Sequence, residues 1–349
     1  MSGGRSIAVL GPIPRDRITT HNGEVFEKYG CALYTVAALA ALLDRDDRIY
    51  PIVHVRREDE DAIKNMLSAF PNVDLTGVRS ASDHGAVVEL IYTDQANRIE
   101  QQTGFMDPIT PADVEFALHA DAFVCVPITD YEVGQATLAY IKSHSDGTIL
   151  LDAHGPTSTL VIGGERKRRL WVERDSWLPY VDILKMNLEE AGCSWFPSRD
   201  ALAHHDAGNP IPEEQLPEFA EHCLRHGVQA VCVTLDQRGC VAYHLDDGGG
   251  LVEEEIPRIV VDNVVDATGA GDSFAAGMAF GFLQDHDIVS AARYGNAMGA
   301  QRVSGSGLDV YRSLAETDKQ ITGTYGAPVR AELNPQLLPA TTDSEVRSP

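Results

Sequence analysis

Residues 262–277 read Asp-Asn-Val-Val-Asp-Ala-Thr-Gly-Ala-Gly-Asp-Ser-Phe-Ala-Ala-Gly, and this stretch decides the fold more than any other part of the chain. An extended segment leads into a glycine-rich turn, and the apolar residues that follow have helical spacing. Gly269 and Gly271 let the backbone approach a ligand closely, because neither has a side chain. The first N–H groups of a helix have no partner within it and attract anions. The sequence therefore predicts an anion-binding turn between a strand and a helix.

Asp272 stands inside that turn, where a carboxylate would repel phosphate unless it faces a second reactant. A carboxylate there can take a proton from a hydroxyl group that attacks the phosphate, which indicates phosphoryl transfer. Three other interpretations remain open from residue types alone. A dinucleotide fingerprint would need glycine at Phe274, and a serine nucleophile elbow would need glycine at Ala275. The turn could also do no more than pack a helix close to a strand.

Strand-like apolar runs alternate with helical runs along most of the chain, a pattern typical of a mostly parallel sheet covered by helices on both faces. Residues 86–93 and 98–103 are two extended runs around a polar turn, which predicts a β-hairpin. We expect this hairpin, at about 86–103, to be a small lid inserted into one α/β domain over residues 1–325. Residues 326–349 show little pattern, so we expect a loosely ordered C-terminal tail.

Composition excludes several classes of protein. The 349 residues have a formal net charge of −24, which argues against binding bulk nucleic acid. The longest apolar helical run, 31–43, is too short to span a bilayer, so we expect no membrane insertion. Six cysteines occur without a CxxC or metal-ligand spacing. This usage is typical of a reducing cytosol, and we expect a cytoplasmic protein.

The stretch Asp266–Gly277 resembles the C-terminal signature of the PfkB, or ribokinase-like, carbohydrate kinases. Four further segments resemble landmarks of that family in the expected order. Residues 11–16 resemble the end of the first strand, and residues 29–34 resemble a Gly-Gly substrate motif in which Tyr29 replaces the first Gly. Residues 185–190 resemble Lys-Pro-Asn-x-x-Glu with Met186 for Pro, and residues 233–239 resemble a nucleotide-binding strand and turn with Asp236 where Gly is common. The resemblance covers roughly residues 6–315. It implies a ribokinase-like three-layer α/β/α domain with a mostly parallel central sheet and a small β lid.

The resemblance also implies an activity, namely transfer of the γ-phosphoryl group of ATP to a hydroxyl of a small sugar or polyol. It implies that Asp272 is the general base and that the N–H groups of Gly269, Ala270 and Gly271 form the anion hole. It further implies Mg²⁺ near Asn187 and Glu190, with Glu190 acting through water, and K⁺ held by Asp266 and the loop 304–307. The remaining implied ligands are Thr234, Gly239, Asn296 and Gly307 on the nucleotide side and Asp16, Gly30, Cys31 and Tyr34 on the substrate side.

Several alternatives stay open at this stage. A nucleoside kinase of the same fold could stack a base on Tyr29, Tyr34 or Phe105, and a non-catalytic sugar-binding regulator could share the fold. The intact Asp272 speaks against the regulator. The pair Asn187 and Glu190 also fits a helix capping box without any metal. The lid could form a homodimer interface or cover only the active site.

Overall fold

The structure, a computed structural model, describes residues 4–93, 98–196 and 207–326. Its strands are β1 (Ser6–Leu10), β2 (Arg15–Thr19), β3 (Val25–Tyr29), β4 (Arg48–His54), β5 (Val78–Arg79), β6 (Val87–Tyr92), β7 (Arg98–Gly104), β8 (Ala122–Cys125), β9 (Thr148–Asp152), β10 (Ser158–Leu160), β11 (Arg166–Arg168), β12 (Ile183–Asn187), β13 (Ala230–Thr234), β14 (Gly239–Leu245) and β15 (Leu251–Pro257). Its helices are α1 (Ala32–Leu42), α2 (Arg57–Leu67), α3 (Pro111–Val114), α4 (Gln135–His144), α5 (Arg174–Trp177), α6 (Leu188–Ser194), α7 (Leu216–Arg225), α8 (Ala270–Asp285), α9 (Ile288–Val303) and α10 (Leu314–Tyr325).

A nine-stranded sheet forms the centre of the domain, in the order β15-β14-β13-β12-β9-β8-β1-β4-β5. The strands from β13 to β5 run parallel, and β14 and β15 add an antiparallel edge. Every residue of β1 and β8 is buried, so both faces of the sheet are covered. The predicted α/β class with a mostly parallel sheet is confirmed. Parallel strands place their carboxyl ends along one edge, where ligands bind in such folds.

A second, four-stranded sheet has the order β3-β2-β6-β7. The hairpin predicted at about 86–103 is its β6–β7 half, and residues 15–29 supply the other half. The apolar helical run predicted over 31–43 is α1, which begins at Ala32 and ends at Leu42. Its N-cap, Cys31, has a left-handed φ of 49°, so β3 turns sharply into the helix. We call this four-stranded sheet the lid.

A short hairpin over residues 158–168, formed by β10 and β11, lies against the lid. The N–H of Gln102 in β7 donates a hydrogen bond of 2.7 Å to the carbonyl of Gly164. We call 158–168 the basic hairpin, because β11 consists of Arg166, Lys167 and Arg168. Among the described residues, no helix is both long and apolar enough to cross a membrane. The predicted tail lies outside the described residues, apart from Gly326.

Candidate active site

A cavity of about 700 Å³ opens at the carboxyl ends of β9 and β12, beneath the lid and the basic hairpin. Its lining includes the predicted residues Asp16, Cys31, Asn187, Glu190, Gly269, Gly271 and Asp272. These positions span more than 250 residues of sequence, and the sheet brings them together because its strands end at a common edge. The cavity is therefore the candidate active site.

The glycine-rich turn forms one wall of the cavity and leads into α8. Gly269 is the N-cap of α8 and has a left-handed φ of 82°. A Cβ atom on Gly269 would collide with the ring of Tyr34, so glycine is required there for two reasons. Gly271 lies within the helix and has no positive φ, and its N–H has no backbone partner among the described residues. The N–H of Ala270, a third predicted donor, is partly used by a bond of 3.2 Å to the carbonyl of Ala267.

Asp272 lies in the first turn of α8 and faces the cavity. Burial raises the pKa of its carboxyl, and the charge of Asp152 adds to this effect, while Lys185 opposes it. The thiol of Cys31 lies beside it and donates 3.1 Å to the carbonyl of Val126. A partly desolvated carboxylate with a raised pKa is a suitable base for removing a hydroxyl proton.

Lys185 was not among the predicted site residues, because a lysine at a strand end is usually a solvated cation. Here it is 5% exposed and its Nζ donates 2.7 Å to Asp152 Oδ2. Burial acts to lower the pKa of Lys185, but Asp152 and Glu190 outweigh it and raise the pKa. The same Nζ lies 3.0 Å from the place of a Cβ on Gly271. A buried, fully charged ammonium therefore stands beside the anion-binding turn.

Asn187 and Glu190 form the capping box that opens α6. Asn187 Oδ1 accepts a hydrogen bond of 2.8 Å from the Glu190 N–H, and Glu190 Oε2 accepts one of 2.9 Å from the Asn187 N–H. The second carboxylate oxygen, Oε1, lies 3.0 Å from His154 Nδ1 and 3.3 Å from Arg168. Burial acts to raise the pKa of Glu190, but the His154 hydrogen bond and nearby cations hold it well below its usual range. The capping role and a cavity-facing carboxylate thus coexist in one residue.

Asp16, on β2 of the lid, lines the cavity. It is 6% exposed, and its carboxylate accepts no hydrogen bond from the part of the chain that the structure describes. Burial raises the pKa of Asp16 to about 7, against the charges of Lys28 and Arg166. A Cβ on Gly30 would stand 2.8 Å from Asp16 Oδ2, which explains the glycine at that position. This carboxylate is placed to bind hydroxyl groups of a ligand.

The basic hairpin was not predicted from the sequence, and it closes the cavity from above. Arg166 is paired with Glu100 on β7, and Arg166, Lys167 and Arg168 all line the cavity. A strand of three residues is too short for its alternation of apolar and polar residues to be detected in the sequence. Only the run Arg-Lys-Arg-Arg at 166–169 marks the place in the sequence.

Eight predicted site residues lie outside the cavity lining, as far as the described residues show: Gly30, Tyr34, Thr234, Gly239, Asp266, Ala270, Asn296 and Gly307. The Asn296 amide is used inside the fold, since it donates 3.2 Å to the Pro257 carbonyl and 3.1 Å to the Tyr325 hydroxyl. Gly239 has a φ of 107° at the start of β14. Asp236, where the resemblance would place glycine, does line the cavity and has a left-handed φ of 51°.

The carboxylate of Asp266, the implied K⁺ ligand, is instead bonded to two cationic side chains of the protein. Its Oδ2 accepts 2.9 Å from Lys28 Nζ and 3.0 Å from the Arg302 guanidinium, and Oδ1 accepts 2.9 Å from the Thr268 N–H. Burial acts to raise the pKa of Asp266, but the bonds from Lys28 and Thr268 lower it to about 2. The predicted K⁺ site therefore does not fit this structure, because its carboxylate is already neutralised.

Comparison with known families supports the resemblance. The model of the pfkB family carbohydrate kinases matches residues 170–311. An uncharacterised sugar kinase of Archaeoglobus fulgidus is 36% identical over 25% of this chain and 33% of its own length. The 2-dehydro-3-deoxygluconokinase of Bacillus subtilis is 36% identical over 29% of this chain and 30% of its own. Inositol 3-kinase of Arabidopsis thaliana is 39% identical over 20% of this chain and 18% of its own. The matches thus span a third or less of these relatives.

Solved structures show that the whole described domain has the ribokinase-like fold. Ribokinase from Giardia lamblia superposes with a TM-score of 0.70 at 15% identity, covering 92% of this chain and 99% of that protein. A pyrophosphate-dependent kinase of the ribokinase family, complexed with a pyrophosphate analog and myo-inositol, gives 0.64 at 17% identity, covering 90% and 99%. The predicted three-layer α/β/α fold is confirmed.

Proposed function

We propose that this chain is a kinase that transfers the γ-phosphoryl group of ATP to a hydroxyl of a small sugar or polyol. The observation that carries the proposal is the meeting of three groups in one cavity. A half-buried carboxylate of raised pKa, Asp272, stands next to the free N–H of Gly271 and the buried ammonium of Lys185. Phosphoryl transfer to an alcohol requires a base next to N–H and cationic groups that bind the phosphate.

The chemistry follows from this placement. Asp272 accepts the proton of the acceptor hydroxyl while the acceptor oxygen forms a bond to the γ-phosphorus. The bond between that phosphorus and the bridging oxygen breaks, and ADP leaves with the electron pair. The Gly271 N–H and the Lys185 ammonium stabilise the charge on the transferring group. Closure of the lid and the basic hairpin excludes water that would otherwise be phosphorylated.

The cavity also offers ligands for the donor complex. Asp152 and Glu190 provide carboxylate oxygens, the ligand type that Mg²⁺ prefers, and Mg²⁺ usually keeps several waters while it binds phosphates. These residues would hold a magnesium ion through water, because Asp152 Oδ2 already accepts from Lys185 Nζ and Glu190 Oε1 lies 3.3 Å from Arg168, and the ion would neutralise phosphate charge. The nucleotide would extend past Asp236 toward β13 and β14, where Thr234 and Gly239 lie. The cytoplasm, with its ATP and reducing conditions, suits the six free cysteines.

The acceptor end of the cavity favours a polyol over a nucleoside. Asp16, Glu100 and Arg166 offer polar groups, and Val88, Leu90 and Ile128 supply the apolar wall. Within the described residues, the lining has no phenylalanine, tyrosine or tryptophan ring on which a base could stack, and its imidazole, His154, lies 3.0 Å from Glu190. Tyr29 donates instead to Asp59, and Phe105 is 46% exposed.

A substrate panel tests the proposal. The protein is incubated with Mg²⁺ and either ATP or pyrophosphate, together with pooled acceptors that include ribose, myo-inositol, 2-dehydro-3-deoxygluconate and nucleosides. Mass spectrometry should find one sugar or polyol that gains a phosphoryl group. Phosphorylation of nucleosides alone would favour the nucleoside kinase. Sugar binding without any product would favour the regulator.

Acceptor binding should depend on pH through Asp16. The pKa of this carboxyl in the folded protein is about 7, so it becomes protonated as the pH falls through 7 and loses its capacity to accept from hydroxyl groups. We expect the acceptor Kd to rise by up to about tenfold per pH unit below 7, as one ionisation requires. Calorimetry measures this without turnover. Asp16→Asn should bind more weakly at pH 8 and lose most of the pH dependence, and an unchanged pH profile in that variant would contradict the assignment.

We also propose a homodimer through the lid, supported by exposed apolar side chains on its strands. Val25 on β3, Ile91 on β6 and Ile99 on β7 lie in one cross-strand row and are 54%, 37% and 48% exposed. Exposed apolar side chains that lie together on one face can mark an interaction surface. Light scattering should give the mass of a dimer for the wild type and of a monomer for Ile99→Asp. A monomeric wild type would limit the lid to covering the active site.

A further inference from the structure

The Asp266 carboxylate is tied to the end of α9 by a single buried guanidinium. Arg302 lies in the last turn of α9 and its side chain is fully buried. One terminal nitrogen donates 3.0 Å to Asp266 Oδ2, and the other donates 2.6 Å to the Gly305 carbonyl. These are charge-assisted hydrogen bonds of ordinary length, and a planar guanidinium is suited to bridging two acceptors. Arg302 therefore connects the turn before α8 to the loop after α9.

These two acceptors are the oxygens that a monovalent cation would need. The family resemblance implies K⁺ between Asp266 and the loop 304–307, and Gly305 belongs to that loop. Both oxygens already accept hydrogen bonds from the guanidinium, and Lys28 Nζ donates a further hydrogen bond of 2.9 Å to the same Asp266 oxygen. A third positive charge at this point would be repelled by two neighbours at short range.

Arg302 also reaches the anion hole through Tyr34. The guanidinium carbon lies 4.4 Å from the centroid of the Tyr34 ring, a cation–π arrangement. On its other side the ring contacts Gly269, the N-cap of α8, so closely that no Cβ would fit there. A displacement of Arg302 would therefore shift the ring and the turn that supplies the Gly271 N–H.

We infer that Arg302, assisted by Lys28, is the resident cation of this site and takes the place that a monovalent metal ion would occupy. The inference rests on the proposed kinase function for its catalytic consequence, and it makes Arg302 a positioning residue rather than a catalytic one. Turnover should not depend on K⁺. Lys28 lies on β3, so the lid contributes directly to the cation pair on Asp266.

The first experiment uses the wild-type protein in KCl and in tetramethylammonium chloride at equal ionic strength. Equal ionic strength is needed because a chain of net charge −24 responds to screening alone. We expect the same turnover and the same melting temperature in both salts. A strong increase of either quantity in KCl would overturn the inference, and the melting temperature gives this answer even for a chain without kinase activity.

The second experiment exchanges the cation. Arg302→Ala frees the oxygens of Asp266 and Gly305, and turnover in tetramethylammonium should fall by up to about 10²-fold, the order of cost for a small misplacement of reacting groups. K⁺ or guanidinium should restore a large part of the turnover and raise the melting temperature of this variant. Arg293→Ala, a change on the same helix beside Tyr325, should show neither response.

Loss of turnover in Arg302→Ala without rescue by either cation would mean a packing role only and would overturn the inference. If that variant does not fold, the comparison of the wild-type protein in the two salts still tests the inference. Failure of the kinase proposal would look different, because it would abolish turnover in every salt while leaving the melting-temperature responses intact.

Discussion

Asp272→Asn should lower kcat by about 10²–10⁴-fold, the range that a general base typically contributes. The amide keeps the shape of the carboxyl but cannot accept the acceptor proton. The fold should survive, because the change removes a half-buried negative charge that Asp152 already disfavours. Donor affinity should hold or rise slightly, since one negative charge near the phosphates is gone. Steady-state kinetics with the acceptor selected by the panel give the value.

Asp262→Asn is the matched control, because Asp262 is exposed and precedes the same turn by only a few residues. It should leave kcat unchanged. Near wild-type turnover of Asp272→Asn with the correct acceptor would refute the assignment of this residue as the base. The purely structural interpretation of the turn would then be favoured.

Gly269→Ala should abolish turnover and destabilise the fold. Gly269 has a φ of 82°, and an L residue in the left-handed region costs about 1–2 kcal/mol. The new methyl group would also collide with Tyr34, which is 2% exposed and backed by Arg302, so the ring has little room to move. The turn must shift, and the anion hole shifts with it. Denaturant unfolding and kinetics measure the two effects.

Two further glycine variants separate stability from activity. Gly271→Ala keeps an allowed backbone conformation, and its methyl group would meet only the flexible end of Lys185 at 3.0 Å. It should retain the free energy of unfolding but lose turnover. Gly323→Ala in α10 meets nothing within 4 Å and should be neutral or slightly stabilising. Equal stability of Gly269→Ala and Gly323→Ala would contradict the strain argument.

Local sequence signals predicted the parts of this site that depend on one segment. The turn at 266–272 and the capping box of Asn187 and Glu190 each lie within a few residues, so spacing and residue type suffice to find them. In these segments the residues that determine the backbone conformation are also the ones that line the candidate site.

The parts that were missed depend on contacts between distant segments. The strands β10 and β11 are three residues each and are stabilised by pairing with the lid, so they carry no periodicity of their own. The replacement of K⁺ by Arg302 needs the end of α9 to meet Asp266, which lies 36 residues earlier in the chain. The sequence alone also does not tell which glycine of the turn is left-handed, and the structure shows that it is Gly269.

The most direct test of the central claim is a ³¹P NMR record of the reaction with ATP, Mg²⁺ and the acceptor found by the panel. We predict that the γ-phosphate signal of ATP falls while one phosphomonoester signal rises in equal amount, and that Asp272→Asn slows both changes together. Loss of the γ-phosphate signal with only inorganic phosphate appearing, whichever acceptor is present, would contradict the claim that this cavity transfers phosphoryl groups to an alcohol.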